Sequence, residues 1–350
     1  MGLFILRRTG VMIFTALCLT FIVFYLTNLF PNLEKLAKTQ GNFRMSDEAV
    51  NSWLDKNGYL QPLPIKYGQW LGVLPGWTLE SDEGISGRCI RGTVSPQEAE
   101  QAKTLCGIIQ GDWGFSTVFK DDVSVIIGKR LGLTGKLMFW VLVLMVPSAL
   151  LIGVLAGMRE GSVTDRTLST ISIVTTATPE YVSGVIFIAI FTSSAVGLKW
   201  FKGTATSAME SANFENFFLP VLTISLYGMG YIARMTRASM AEVMTAQYIR
   251  TARLKGVTFS NIVIKHALRN ALIAPFTVIM LQVPWLLNGV VIVETLFNYK
   301  GFGWALVEAA GNNDIELLMA VSVVSVIVVL VTQLISDIGY VYLNPRIRIS

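Results

Sequence analysis

His266 is the single histidine in this 350-residue chain, and that limits the chemistry its side chains can perform. A Ser-His-Asp arrangement and a histidine-built zinc site both need partners that do not accompany it. Gly132-Leu-Thr-Gly-Lys136 has glycines and a lysine, but not the G-x-x-x-x-G-K-[ST] spacing that cradles a nucleotide's phosphates. The chain is therefore expected to be non-catalytic, with no metal and no cofactor of its own. Cysteines occur three times: Cys18 within an apolar run, and Cys89 and Cys106 in a polar stretch with sixteen residues between them. In an oxidising compartment those two could bridge, a constraint worth about 3 kcal/mol for a loop of that length. Two unpaired thiols are the alternative.

What remains is charge in an unusual place. Tyr248-Ile-Arg-Thr-Ala-Arg-Leu-Lys-Gly256, followed by Lys265-His-Ala-Leu-Arg-Asn-Ala271, sets a basic, amphipathic segment between two strongly apolar ones. On a helix, Met244, Tyr248 and Ala252 fall four apart on one face, with Arg250 and Arg253 on another. Gly256 after Lys255 reads as a left-handed residue ending a helix whose last turn carries cations. Two readings fit this pattern equally: a helix on which a soluble protein docks, or an interfacial helix on anionic lipid.

The surrounding elements are membrane spans. The chain is 53% hydrophobic and 15% charged, with mean hydropathy +0.57; soluble domains carry about 25% charged residues. The formal charge of +5 sits in short runs beside apolar spans, which argues against a nucleic-acid partner. About 20 apolar residues cross roughly 30 Å of hydrocarbon. Such runs fall near residues 10–30, 137–157, 168–196, 217–235, 271–293 and 317–342, predicting an all-α membrane protein with six spans. On one side the short loops and tails hold thirteen Lys and Arg residues, against Lys199, Lys202 and Lys300 on the other, which places both termini in the cytoplasm. The first apolar run is read as a retained span rather than a cleaved signal, since no small-x-small cleavage site follows it. Residues 31–136 then form a large exported loop, too long to be structureless, with helices expected near Asp47–Asn57 and Pro96–Ile109.

Within the spans, ionisable residues are few. Asp337, Glu294 and Glu180 are read as interfacial or packing residues, which argues against a proton-coupled carrier. Gln282 and Asn288 in the fifth span should face protein or a water path and are the pathway candidates. Gly153-Val-Leu-Ala-Gly157 places two glycines on one helix face, a weak signal of close helix approach.

Tyr248 to Gly256 resembles the cytoplasmic coupling loop of ABC-importer permeases of the dipeptide/oligopeptide/nickel branch. The likeness continues through His266-Ala-Leu-Arg-Asn-Ala-Leu272, Val293-Glu-Thr-Leu-Phe297, Gly301-Phe-Gly303 and Asn344-Pro-Arg-Ile-Arg348. Earlier, Gly111-Asp-Trp-Gly-Phe-Ser116 and Arg130-Leu131 agree as well. Two positions depart from the general signature: Arg250-Thr251-Ala252 stands where Glu-Ala-Ala is common, and Asn270 replaces its final proline. Residues 75–107 look like an insertion relative to shorter members.

The resemblance implies a type I importer permease fold: residues 1–30 as cytoplasmic tail and first helix, 31–136 as the exported module, and 137–350 as a five-helix core with a coupling helix at about 241–256. It implies that Tyr248, Thr251, Ala252, Arg253 and Gly256 form the ATPase-coupling motif. It further implies a second permease subunit, two ATPase subunits that use ATP and Mg, and a substrate-binding protein, in a bacterial cytoplasmic membrane. Peptide is the default solute, with nickel, glutathione, opines and oligosaccharides also carried by such systems. A secondary carrier or channel working without an ATPase is the alternative, and an embedded enzyme lacks a visible catalytic set.

Overall fold

The computed structural model describes residues 2–81, 84–193 and 198–343. It divides into two compact units. Helix dominates both, and among the described residues the exception is one small sheet in the first loop.

One unit comprises Gly10–Lys129 and Ala305–Ile327. Helix α1 (Gly2–Thr27) leads into α2 (Phe30–Gln40), α3 (Asp47–Lys56) and α4 (Leu63–Leu71). Apolar residues recur at helical spacing: Leu33, Leu36 and Ala37 on α2, Val50 and Leu54 on α3, all buried in one cluster with Trp70. Ser46 starts α3 by accepting the Ala49 N–H at 3.3 Å. The rings of Phe24, Tyr67 and Trp70 pack together, Phe24 lying 5.3 and 5.6 Å from the other two. Next come β1 (Thr78–Ser81), β2 (Gly84–Gly87) and β3 (Ile90–Val94), an antiparallel meander in that order, and α5 (Pro96–Gln101). The strands were not anticipated. Each is only four or five residues long, too short for alternation to stand out from loop.

The other unit comprises Met1–Thr9, Arg130–Trp304 and Val328–Ser350. Its helices are α6 (Val123–Gly157), α7 (Val163–Ala177), α8 (Glu180–Phe191), α9 (Phe214–Thr245) and α10 (Gln247–Leu254). A helical segment follows: α11 (Phe259–Asn261), a π-turn at Ile262–Ala267, and α12 (Leu268–Ala271). Then comes α13 (Ile273–Leu296), while α14 (Phe302–Gly311) and α15 (Ile315–Leu343) are each divided between the two units, after Trp304 and after Ile327. Among the described residues four helices are long and apolar enough to span a membrane, and up to six spans result if two bent pairs each count as one.

In those pairs two of the expected apolar runs are broken helices. The third run, expected over 168–196, is broken into α7 and α8, which meet at 104°. Pro179 is the physical cause, because Thr178 before it is extended (ψ 119°) and proline offers no N–H to continue the helix. The fifth, expected over 271–293, pairs α11–α12 with α13 at 51°. Helix α6, which holds the second apolar run, begins at Val123, ahead of residue 137.

Helix α9 is the centre of this unit. Leu137, Val141, Met145 and Ala149, four apart on α6, pack with its Ile224 and Ile232 in one core. Gly153 and Gly157 extend that face. A Cβ on Gly153 would lie 2.6 Å from the Ala233 carbonyl oxygen, and one on Gly157 2.6 Å from that of Arg237. The glycine pair therefore lets two backbones touch, as in close-packed membrane helices.

Candidate coupling surface

Helix α10 owes its independence from α9 to Ala246. That residue is extended (ψ 148°), ending α9 at Thr245 and letting α10 start in a new direction. At its far end the chain closes in a Schellman motif. The Gly256 N–H donates to Arg253 O at 3.0 Å and the Val257 N–H to Ala252 O at 3.2 Å. Gly256 takes φ +75°, the left-handed conformation that glycine adopts without steric cost.

The base of α10 is apolar. Ile249 and Ala252 are buried with Met240 and Met244 of α9 and with Ile262, Val263, Ala267 and Ala271 beyond the turn. The expected face of Met244, Tyr248 and Ala252 is thus corrected. The break at Ala246 resets the helical phase, so Ile249 takes the inward position and Tyr248 is 43% exposed. The Tyr248 hydroxyl instead accepts a hydrogen bond from the Asn270 Nδ2 at 2.9 Å. Asn270, the departure from the general signature, therefore has a local role that proline could not fill. Thr251 donates back to the Gln247 carbonyl at 3.1 Å.

The opposite face is open. Arg250, Thr251, Arg253, Lys255 and Gly256 are all exposed, and space above Gly256 is free to at least 4 Å. Leu254 between these cations is 82% exposed. The sequence reading did not single it out, although its place one residue past Arg253 puts it off the buried stripe.

A second set of residues braces this surface. Arg237 on α9 donates to both oxygens of Asp165, Nε to Oδ1 at 2.9 Å and Nη2 to Oδ2 at 2.7 Å. Asp165 also accepts from the Gly161 N–H and the Ser169 hydroxyl. Bidentate geometry of this kind fixes both partners. The Arg159 guanidinium lies 5.4 Å from the Phe259 ring, and the Ser239 hydroxyl donates to the Ala271 carbonyl at 2.8 Å. The α6–α7 turn, α9 and the segment after α10 are thereby held together. Arg237 entered the sequence reading only as a positive charge, because a contact across 72 residues leaves no local signal.

At the other end of α13, Glu294 is fully buried and organises a knot. The Thr134 hydroxyl donates to its Oε1, and the Trp304 N–H donates to its Oε2 at 2.9 Å. Thr134 in turn accepts from the Phe302 N–H at 2.7 Å, and Arg130 Nη1 donates to the Lys300 carbonyl at 2.6 Å. A Cβ on Gly301 would collide with the Glu294 carboxylate. Three separated motifs, at Arg130-Leu131, Val293–Phe297 and Gly301–Gly303, thus prove to be one structure. Asp337 pairs with Arg8 at 2.8 Å.

Of the pathway candidates, Gln282 is buried on α13, whereas the side chain of Asn288 lies outside the described residues, as do residues 344–350. Cys89 and Cys106 are bridged, with their Cα atoms 5.5 Å apart, and Cys18 is an exposed free thiol. Among the described residues no group of three His, Cys, Asp or Glu could hold a metal ion.

Long apolar helices around a buried α9, with a short cationic helix presented on an apolar base, define a multi-pass membrane transport subunit. The chain belongs to the family of binding-protein-dependent transport system inner membrane components, whose model matches residues 149–349. It is 35% identical over 266 residues to the oligopeptide transport system permease protein AppB of Bacillus subtilis (strain 168), covering 73% of this chain and 82% of that one. The probable peptide ABC transporter permease protein y4tP of Sinorhizobium fredii is 28% identical over 351 residues, 99% of this chain and 100% of that one. The glutathione transport system permease protein GsiC of Salmonella paratyphi A is 30% identical over 261 residues, 73% and 81%.

Proposed function

We propose that this chain is one of two permease subunits of an ATP-driven importer that carries short peptides or chemically related small solutes. A substrate-binding protein delivers the solute, and two ATPase subunits dock on the α10 side, which is the cytoplasmic side and carries both termini. ATP and Mg act on those ATPases, and this chain contributes none of the hydrolytic chemistry. The relatives named for oligopeptide, peptide and glutathione transport support the solute class, since all three describe amide-linked amino acids.

The observation that carries the coupling role is the two-sided build of α10. Its inner face is anchored by Ile249 and Ala252, so a push on its outer face moves α9 and α11–α12 rather than merely tilting a loose loop. The outer face offers Arg250, Arg253, Lys255 and the exposed Leu254 to a partner. A bound ATPase can shift the permease between states only if it binds them differently, and a rigidly based helix is a means to that end. Tyr248, Thr251, Ala252, Arg253 and Gly256 form the motif, with Ala252 inside and the other four at the surface. Gln282 and Asn288 are assigned to the solute path.

The test is affinity purification of the tagged chain from solubilised membranes, followed by reconstitution into proteoliposomes. Recovery of an ATPase and a second permease, with uptake that needs ATP, is expected. A chain that transports alone and stops when an ionophore collapses the ion gradient would overturn the proposal.

A further inference from the structure

The unit that contains the first loop encloses a cavity of about 320 Å³. That is the small end of the roughly 300–1,000 Å³ usual for small-molecule sites. Its walls include Trp70 and Trp77, the start of α15, and the turn between β2 and β3 that carries Arg88 next to the bridged Cys89.

Most charges around it already have partners. Lys66 donates to Asn28 Oδ1 at 3.2 Å and to the Tyr59 carbonyl at 2.8 Å. Asp314 accepts from the Ser116 hydroxyl and from the Val118 and Leu317 N–H groups. Arg88 and Glu316 stand differently. Arg88 Nη1 and Glu316 Oε1 are 4.0 Å apart, too far for a hydrogen bond, and both side chains are largely enclosed. Arg88 Nε and Glu316 Oε2 have no hydrogen-bond partner among the described residues. Gln69, only 7% exposed, also lines the cavity and makes no side-chain hydrogen bond among the described residues.

The two charges are held in place. Gly114, at φ +84°, lets Glu316 lie against the backbone, where a Cβ would come within 2.7 Å of Oε2. Burial pushes the Tyr59 hydroxyl above its usual pKa and the Lys66 ammonium below its own. A cation and an anion held largely out of water without full hydrogen bonding are costly. A group that offers a donor to Glu316 Oε1 and an acceptor to Arg88 Nη1 at the same time supplies the hydrogen bonds that the 4.0 Å pair does not make.

We infer that this cavity binds an α-amino acid headgroup, an ammonium beside a carboxylate or carbonyl oxygen, with an apolar side chain against Trp70 and Trp77. In such a headgroup the nitrogen and an oxygen are close neighbours. The ammonium on Glu316 Oε1 and the oxygen on Arg88 Nη1 then close a four-sided arrangement across the 4.0 Å separation. Gln69 supplies a further polar contact. The source is a free apolar amino acid or the amino-terminal residue of a peptide. The inference does not rest on the solute path assigned to α13, and it stands or falls whatever the transporter's cargo is.

Calorimetric titration of the full chain in lipid nanodiscs, without any partner subunit, tests it. The probes are L-leucine, leucylglycine, isocaproate (no ammonium) and isoamylamine (no carboxylate). Saturable binding of leucine is expected, weakened at least tenfold for isocaproate and isoamylamine and in Glu316→Gln and Arg88→Gln. Because the analogues are tested on the unaltered protein, the result does not depend on the variants folding. Leucylglycine binding as tightly as leucine would identify a peptide amino terminus as the ligand, and tenfold weaker binding a free amino acid. Absence of saturable heat with leucine and leucylglycine, meaning that the cavity holds only water, would overturn the inference. So would isocaproate binding as well as leucine.

Discussion

Gly256 offers the sharpest test of how α10 is built. It sits at φ +75° with nothing within 4 Å of where a Cβ would be, so a substitution meets backbone strain and no clash. An L-residue in that conformation costs about 1–2 kcal/mol, more for a β-branched one and less for asparagine. A difference of that size shifts an equilibrium roughly 5- to 30-fold. The part affected is the Schellman closure, whose two hydrogen bonds from Gly256 and Val257 fix the last turn and seat Val257 on the α10 core. Loss of closure should loosen the docking face without disturbing α9. The assay is the ratio of solute imported to ATP hydrolysed in proteoliposomes, with protease sensitivity after Lys255 as a local readout. Coupling is expected to fall in the order wild type, Gly256→Asn, Gly256→Ala, Gly256→Val, with the asparagine variant close to wild type and Gly256→Val reduced roughly tenfold or more. If Gly256→Asn were as poor as Gly256→Val, the backbone explanation would fail, and the free space above Gly256 itself would be the requirement.

Three further outcomes follow from the same structure. Asp165→Asn leaves Arg237 without its bidentate partner; breaking such a pair costs about 3–5 kcal/mol when fully buried, and the cost here falls below that range because Arg237 is 31% exposed and keeps Glu160 at 3.5 Å. A lower melting temperature in detergent checks it, with partial recovery expected in the Asp165→Asn, Arg237→Gln double variant. Replacing Cys89 and Cys106 by serine removes a closure worth about 3 kcal/mol and should open the 76–106 region to protease, while leaving the α9 core's thermal transition unchanged. Leu254→Glu places a charge on an already exposed position, so thermal stability should hold within about 0.5 kcal/mol while ATPase capture in pull-down falls; unchanged capture would count against Leu254 as a docking contact.

How much of this was legible in the sequence depends on how local the cause is. The α10 terminus could be read directly, since Lys255-Gly256 at the end of an amphipathic stretch specifies a capped turn, and Gly256 is indeed left-handed. Its start could not be read as well: Ala246 has no special backbone preference, and only tertiary packing makes it extended, which is why Tyr248 turned outward and Ile249 inward. Pro179 in the third apolar run cannot continue a helix, but nothing in the local sequence specifies the 104° angle. Glu294 shows the same limit. Its position at the end of an apolar run suggested packing, whereas its partners Thr134 and Trp304 lie 160 and 10 residues away and carry no periodicity linking them.

The motifs therefore divide by what they hold. Those near Glu294 close one end of α13 through hydrogen bonds to a buried carboxylate, so each residue's identity follows from a specific donor, acceptor or missing Cβ. Those around α10 leave their outer surface without partners among the described residues, so no described contact accounts for the types of Arg253, Leu254 and Lys255 beyond the favourable placing of cations at a helix C-terminus. A rigid base beneath an unpartnered cationic face is what a subunit needs if force arrives from another protein. The segment's inner half is accounted for by this chain's own packing, and its outer half by the ATPase proposed to dock there.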